Sequence, residues 1–142
     1  MGGSSYSIEV KLKADLEEAR AIDAGLKQFN DQFSEDDNHL ELAVVLRDEK
    51  GQLAGGLLAD TGWRWVHINT LWIREDVRRL GFGRKLLEMA EQEAIRRGCR
   101  HSQLETHDFQ ALGFYQKQGY ILFAQLDDFP PEHIKYFLKK EL

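Results

Sequence analysis

A chain of 142 residues with 42% hydrophobic and 30% charged side chains has the apolar material for one packed core. Its net charge of -5 argues against general nucleic-acid binding, which needs a basic surface, and no window approaches the ~18 apolar residues of a membrane span. The single cysteine, Cys99, excludes an internal disulfide.

Residues 1–5 read as a flexible leader before a single domain over residues 6–142. The N-terminus lacks the basic-then-apolar order of a secretory signal, and with the lone cysteine this points to the cytoplasm. Residues 6–12 alternate enough to be a first strand. Residues 14–29 have helical spacing, with Leu16, Ala19, Ile22 and Leu26 three and four apart, and the polar run 30–38 reads as a loop. Strands follow at 40–46 and 53–58, joined by a hairpin loop that carries Gly51 near its end. Thr61-Gly62 marks the next turn, and residues 63–73 form a long strand.

A helix is expected from Gly83 to about Arg97, burying Leu86, Leu87, Ala90, Ala94 and Ile95, with Gly98 as its stop. Residues 101–106 are a strand, 109–118 a short helix ended by Gly119, 120–124 a strand, 127–132 an irregular crossover, and 134–140 a final strand. Hairpins require antiparallel pairing and helix-linked strands require crossovers. The class is therefore α/β (α+β), with a mixed, mostly antiparallel sheet flanked by helices on both faces.

Chemistry concentrates in residues 71–85. The apolar Leu71-Trp72-Ile73 leads, after a four-residue turn, into Arg78-Arg79-Leu80-Gly81-Phe82-Gly83-Arg84-Lys85, which opens directly into the helix. Two glycines let the backbone approach a ligand closely, and free amides at a helix start supply donors and partial positive charge. This junction resembles the acetyl-CoA pyrophosphate loop of the GNAT acetyltransferases, Gln/Arg-x-x-Gly-x-Gly/Ala, with Arg78 at the Gln/Arg position. Asp108-Phe109-Gln110-Ala111-Leu112-Gly113-Phe114-Tyr115-Gln116-Lys117-Gln118-Gly119-Tyr120 is similar to the same family's Asn-x-x-Ala-x-x-Leu/Phe-Tyr-x-x-x-Gly-Phe/Tyr segment.

The resemblance implies an N-acetyltransferase that moves an acetyl group from acetyl-CoA to a primary amine by direct attack, with a small-molecule acceptor favoured. A non-catalytic CoA-binding sensor and a peptide-amine acetyltransferase are the alternatives. It places the pantetheine arm along Leu71, Trp72 and Ile73, and the pyrophosphate on Arg78, Arg79, Leu80, Gly81, Phe82, Gly83, Arg84 and Lys85. Phe109, Ala111, Phe114, Tyr115 and Lys117 are expected against the cofactor too, with Tyr115 as general acid. A phenol near ~10 can protonate a departing thiolate whose model, the Cys side chain, titrates near ~8.5. Asp108 departs from the family's Asn, and a carboxylate near phosphates is less welcome.

The general base stays open. A free alkylammonium near ~10.4 must lose a proton before it attacks. Where relatives often place an acid, this chain has Asn69, which can hold a water but not take a proton. Glu105 on the next strand is the best remaining carboxylate, His67 shares a strand face with Asn69, and a solvent-linked route competes with both. No histidine grouping has metal-ligand spacing: His101 and His107 are separated by about 20 Å of strand. No metal is expected, and a homodimer is open to the chain, with one of Trp63, Trp65 and Trp72 lining the acceptor pocket or a dimer contact as the sharper reading of the tryptophans.

Overall fold

The computed structural model describes residues 5–142, so the leader expected at residues 1–5 lies outside it except for Ser5. The chain forms two compact units, Met1–Asp36 and Asp37–Leu142. The first carries helix α1 (Leu16–Asn30), with Glu17 and Glu18 in its first turn and Lys27 in its last, each sign suited to the helix dipole there. None of its residues is buried. Residues 6–12 do not form the expected strand, and Tyr6, Ile8, Val10 and Leu12 are all exposed. Alternation gives a strand an apolar face, but a strand also needs a neighbour to close its ladder, and among the described residues none pairs with this segment.

The second unit is a six-stranded sheet with β1 (Leu40–Arg47), β2 (Leu53–Gly62), β3 (Trp65–Ile73), β4 (His101–His107), β5 (Ile121–Asp127) and β6 (Ile134–Glu141). Its spatial order is β1-β2-β3-β4-β6-β5. Every pair is antiparallel except β3 with β4, which are joined by the crossover helix α2 (Phe82–Arg96). A short helix α3 (Leu112–Lys117) follows β4. The mixed, mostly antiparallel sheet with helices is the fold class expected from the sequence.

The core forms where alternate strand residues meet the apolar rows of α2 and α3. Leu57, Val66, Leu104 and Leu138 from the strands pack with Leu86, Leu87, Ala90 and Ala94 from α2 and with Tyr115 from α3. Removing a side chain such as Leu57 or Leu138 to Ala would cost about 2–5 kcal/mol. Ile95 is exposed rather than part of the stripe, and Glu91 is buried in its place. The row Leu87, Ala90, Glu91, Ala94 follows the 3.6-residue period, so Glu91 enters the core and must be paired. Lys140 Nζ lies 2.9 Å from Glu91 Oε1, and Tyr120 Oη donates to Oε2 at 2.8 Å.

The turn after β2 falls two residues later than Thr61-Gly62. Gly62 pairs with Trp65, and Trp63 and Arg64 form the loop with φ of 47° and 68°. Two successive left-handed residues match the twist of a tight hairpin, a demand Asn-Gly usually signals and Trp-Arg does not. α3 is also shorter than expected: residues 108–111 form a turn that the side chain of Gln110 ties down. Gln110 Oε1 accepts from the His107 amide at 2.9 Å and from Thr106 Oγ1 at 3.2 Å.

Candidate active site

β3 and β4 are paired only from Trp65 with His101 to Ile68 with Leu104. Beyond that point β3 stays with β2 as far as Ile73, and β4 stays with β6 as far as His107. The two strands part and leave a wedge within the sheet. A bulge helps shape it: Ile68 pairs with Ala59 and Thr70 with Leu58, so Asn69 is the extra residue. Asn69 and Thr70 are both exposed, whereas Leu71 and Ile73 pack against the core.

On one side of the wedge lies a cavity of about 1040 Å³. Leu71, Trp72 and Ile73 form its strand wall, Arg78, Arg79, Gly81, Phe82, Gly83 and Arg84 its loop wall, and Phe109, Ala111, Phe114 and Tyr115 its far wall. Leu80, Lys85 and Lys117, expected here from sequence, are not among the lining residues. Leu80 and Lys117 are exposed, and the Lys85 ammonium lies over the Phe82 ring at 5.6 Å.

The loop reaches the helix through left-handed backbone at Arg79 (φ 65°) and Gly81 (φ 85°). Gly81 caps α2 without a side chain, so the amides of the first turn are left for a ligand. A Cβ on Gly83 would touch the Phe114 ring at 3.5 Å, which shows how closely α3 approaches the start of α2. The guanidiniums are partly committed: Arg78 Nε donates to the Ile73 carbonyl at 2.8 Å and Arg84 Nε to Glu88 at 2.8 Å. Arg74 is tied to Asp76 and Asp48 and stands outside the cavity.

Across the wedge lies a second cavity of about 570 Å³, with His67, Asn69, Glu105, Thr106, His107 and Lys135 among its lining. His67 Nε2 and Glu105 Oε2 are 2.6 Å apart. Asn69 Nδ2 donates to Asp60 Oδ1 at 2.6 Å. Leu71, Gln110, Ala111 and Tyr115 line both cavities, so the two meet at these residues. Tyr115 is only 8% exposed, and burial pushes its phenol above the ordinary value.

Asp108 is turned away from this junction. Its carboxylate meets His133 Nδ1 at 2.9 Å and the Ile134 amide at 3.3 Å, and it lines neither cavity, so its charge is spent on the loop before β6. Of the tryptophans only Trp72 lines either cavity, in the strand wall of the larger one, while Trp65 stacks on His101 at 4.6 Å. Among the described residues, no group of three or more His, Cys, Asp or Glu could hold a metal ion, and no helix is long and apolar enough to cross a membrane.

A long strand, a glycine-bearing basic loop at a helix start and a buried tyrosine facing both cavities make a chemically specific set. Residues 9–120 match the acetyltransferase (GNAT) family. The chain belongs to that family. This GNAT chain is 46% identical over 95 residues to a blasticidin-S acetyltransferase of Streptomyces morookaense, covering 66% of itself and 70% of that protein. It is 33% identical over 114 residues to an acetyltransferase of Agrobacterium fabrum, covering 80% of itself and 82% of the relative. A crystal structure of an acetyltransferase from Bacillus cereus superposes with a TM-score of 0.86 at 30% identity, over 94% of this chain and 98% of that one. Membership of the family makes the protein an acyltransferase enzyme.

Within the GNAT frame, several lining residues escape a reading by motif. Lys135 reaches the smaller cavity only because it pairs with His107 in the β4–β6 ladder, a contact 28 residues apart in sequence that no local pattern encodes. Thr106 and Gln110 lie inside segments read as strand and helix, and only the turn between them turns both toward the wedge. The Asn69 bulge had one faint signal, two successive polar residues, Asn69 and Thr70, in a strand whose other polar residue is His67 alone.

Proposed function

We propose that this enzyme transfers the acetyl group of acetyl-CoA to the amino group of a small-molecule acceptor. The observation that carries the reading is the meeting of two cavities at Tyr115, one walled by a phosphate-type loop and the other by a His–Glu pair. Acetyl-CoA supplies an activated thioester to the larger cavity. Amides at the start of α2 hold its phosphates, and the β3 backbone from Leu71 to Ile73 offers hydrogen bonds to its amide-bearing arm, with an amide near Ile73 as donor to the thioester oxygen.

His67 and Glu105 accept the proton that the acceptor ammonium must lose. The free nitrogen forms its bond to the thioester carbonyl carbon, the carbon–sulfur bond breaks as Tyr115 gives its phenolic proton to the departing sulfur, and the second proton shed by the acylated nitrogen returns to Tyr115 through solvent. The products are an acetamide and the CoA thiol, with no covalent enzyme intermediate. The blasticidin-S acetyltransferase relative supports a small-molecule amine over a peptide.

Thermal shift and thiol release test the reading together. Acetyl-CoA should stabilise the protein by several degrees where ATP hardly does, and a panel of small amines should yield free thiol. No shift with acetyl-CoA sinks the cofactor assignment. Stabilisation with no thiol from any amine, peptide amines included, would instead mark a CoA-binding sensor.

A further inference from the structure

Asn69 lines both the smaller cavity and an adjoining one of about 410 Å³, whose walls include His39, Glu41 and Asp60. Its side-chain amide is held from that adjoining side, Nδ2 donating to Asp60 Oδ1 at 2.6 Å, while Asp60 Oδ2 meets His39 Nε2 at 3.0 Å. An ionised carboxylate can only accept, so Asp60 admits the amide nitrogen and excludes the amide oxygen. Burial acts to raise the Asp60 carboxyl, but the hydrogen bonds from Asn69 and His39 outweigh it and keep the group below the ordinary carboxylate value. Among the described residues no hydrogen bond is made to Asn69 Oδ1.

On the acetyl-transfer reading above, we infer that Asn69 Oδ1 receives an N–H of the acceptor amine and that Asp60 is the positioning residue that keeps this oxygen, and not the amide nitrogen, presented to it. The chemistry selects for nitrogen. An ammonium that yields one proton to His67 keeps two N–H groups, so Asn69 can still hold the nitrogen by one of them while the freed lone pair turns to the thioester. An alcohol has a single O–H and cannot satisfy both. Were the amide to flip, Nδ2 would confront an ammonium donor with another donor and the acceptor would bind in the wrong orientation.

A double-mutant cycle tests the inference on the intact chain, using an amine found to release thiol. Asn69→Ala and Asp60→Leu should each lower kcat/KM for the amine about 5–20-fold, mainly through KM, with acetyl-CoA affinity unchanged. The double variant should lose no more than Asn69→Ala alone, because Asp60 acts through Asn69. Asp60→Asn, which still offers an oxygen to Nδ2, should recover most of the activity. Wild-type kinetics in Asp60→Leu, or losses that multiply in the double variant, overturn the inference. Should Asp60→Leu fail to fold, Asp60→Ser is read by the same criteria, since its hydroxyl is too short to reach the amide. Absence of acetyl-CoA binding by the wild-type chain would strike the proposed function instead, which keeps the two failures apart.

Discussion

His67 on β3 and Glu105 on β4 join their side chains, Nε2 to Oε2 at 2.6 Å, with His67 inside the paired stretch and Glu105 one residue beyond its last pair. Both are partly exposed, at 33% and 28% of their side-chain surface, so the pair is open to an incoming amine. A base must be unprotonated to act, so kcat/KM should fall as pH drops. His67→Gln and Glu105→Gln should each lower kcat about 10–100-fold, below the full range for general base catalysis because water can substitute in part. The acid limb of the pH profile should move in both variants while acetyl-CoA binding by calorimetry holds. An unchanged profile in both would assign the proton to solvent.

Tyr115→Phe should reduce kcat about 10–100-fold with cofactor affinity within twofold of wild type. The same phenol makes a stability prediction. Burial raises its pKa above 10.0, so the native state keeps a proton that the unfolded chain releases as pH rises past that value. Stability therefore falls with rising pH in that window, and Tyr120, raised by burial as well, adds to the fall. Urea melts at pH 9 and 11 should show a smaller drop for Tyr115→Phe than for wild type.

Two glycines near the larger cavity should respond oppositely to Ala. A Cβ on Gly55 would stand 2.8 Å from the Trp72 carbonyl oxygen and 3.0 Å from Ile73 Cδ1, inside any tolerable contact with backbone. Gly55→Ala should therefore push out the end of β3, costing about 1–3 kcal/mol and weakening acetyl-CoA binding. Gly83→Ala meets only the Phe114 ring, at ordinary contact distance, and should fold normally. Thermal melts and cofactor titrations on the two variants check the contrast.

The buried network around Glu91 is the main electrostatic risk in the core. Lys140, Tyr120 and Ser102 surround it, with Ser102 Oγ 2.7 Å from Tyr120 Oη. Lys140→Met leaves the carboxylate without its cation. Breaking a fully buried pair costs about 3–5 kcal/mol, and because Lys140 is 25% exposed a value near 2 kcal/mol is expected. Glu91→Leu combined with Lys140→Met should recover much of it in urea denaturation.

The parts of this site that were legible in the sequence are the local ones. A strand, a basic loop with Gly81 and Gly83, and an amphipathic helix occupy one contiguous stretch, and each is set by turn chemistry and periodicity within it. The parts that were not legible depend on pairing across distance. Lys135 enters through the β4–β6 register, Asp60 reaches Asn69 through the β2–β3 hairpin, and the bulge at Asn69 exists only relative to β2. The hairpin turn was displaced because Trp63 and Arg64 took conformations that Thr61-Gly62 advertised better. Residues 6–12 had the rhythm of a strand, but no strand pairs with them among the described residues.

The parting of β3 from β4 has a mechanical consequence. The sheet is two three-stranded plates, β1-β2-β3 and β4-β6-β5, stitched along a seam of four residue pairs. Beyond the seam β3 and β4 share no paired residues, and the two cavities meet there. A ligand threaded there with amide groups of its own would lengthen the stitching, stiffening the fold as it binds. A ligand held in this way would complete the sheet, and its departure would return the seam to four residue pairs.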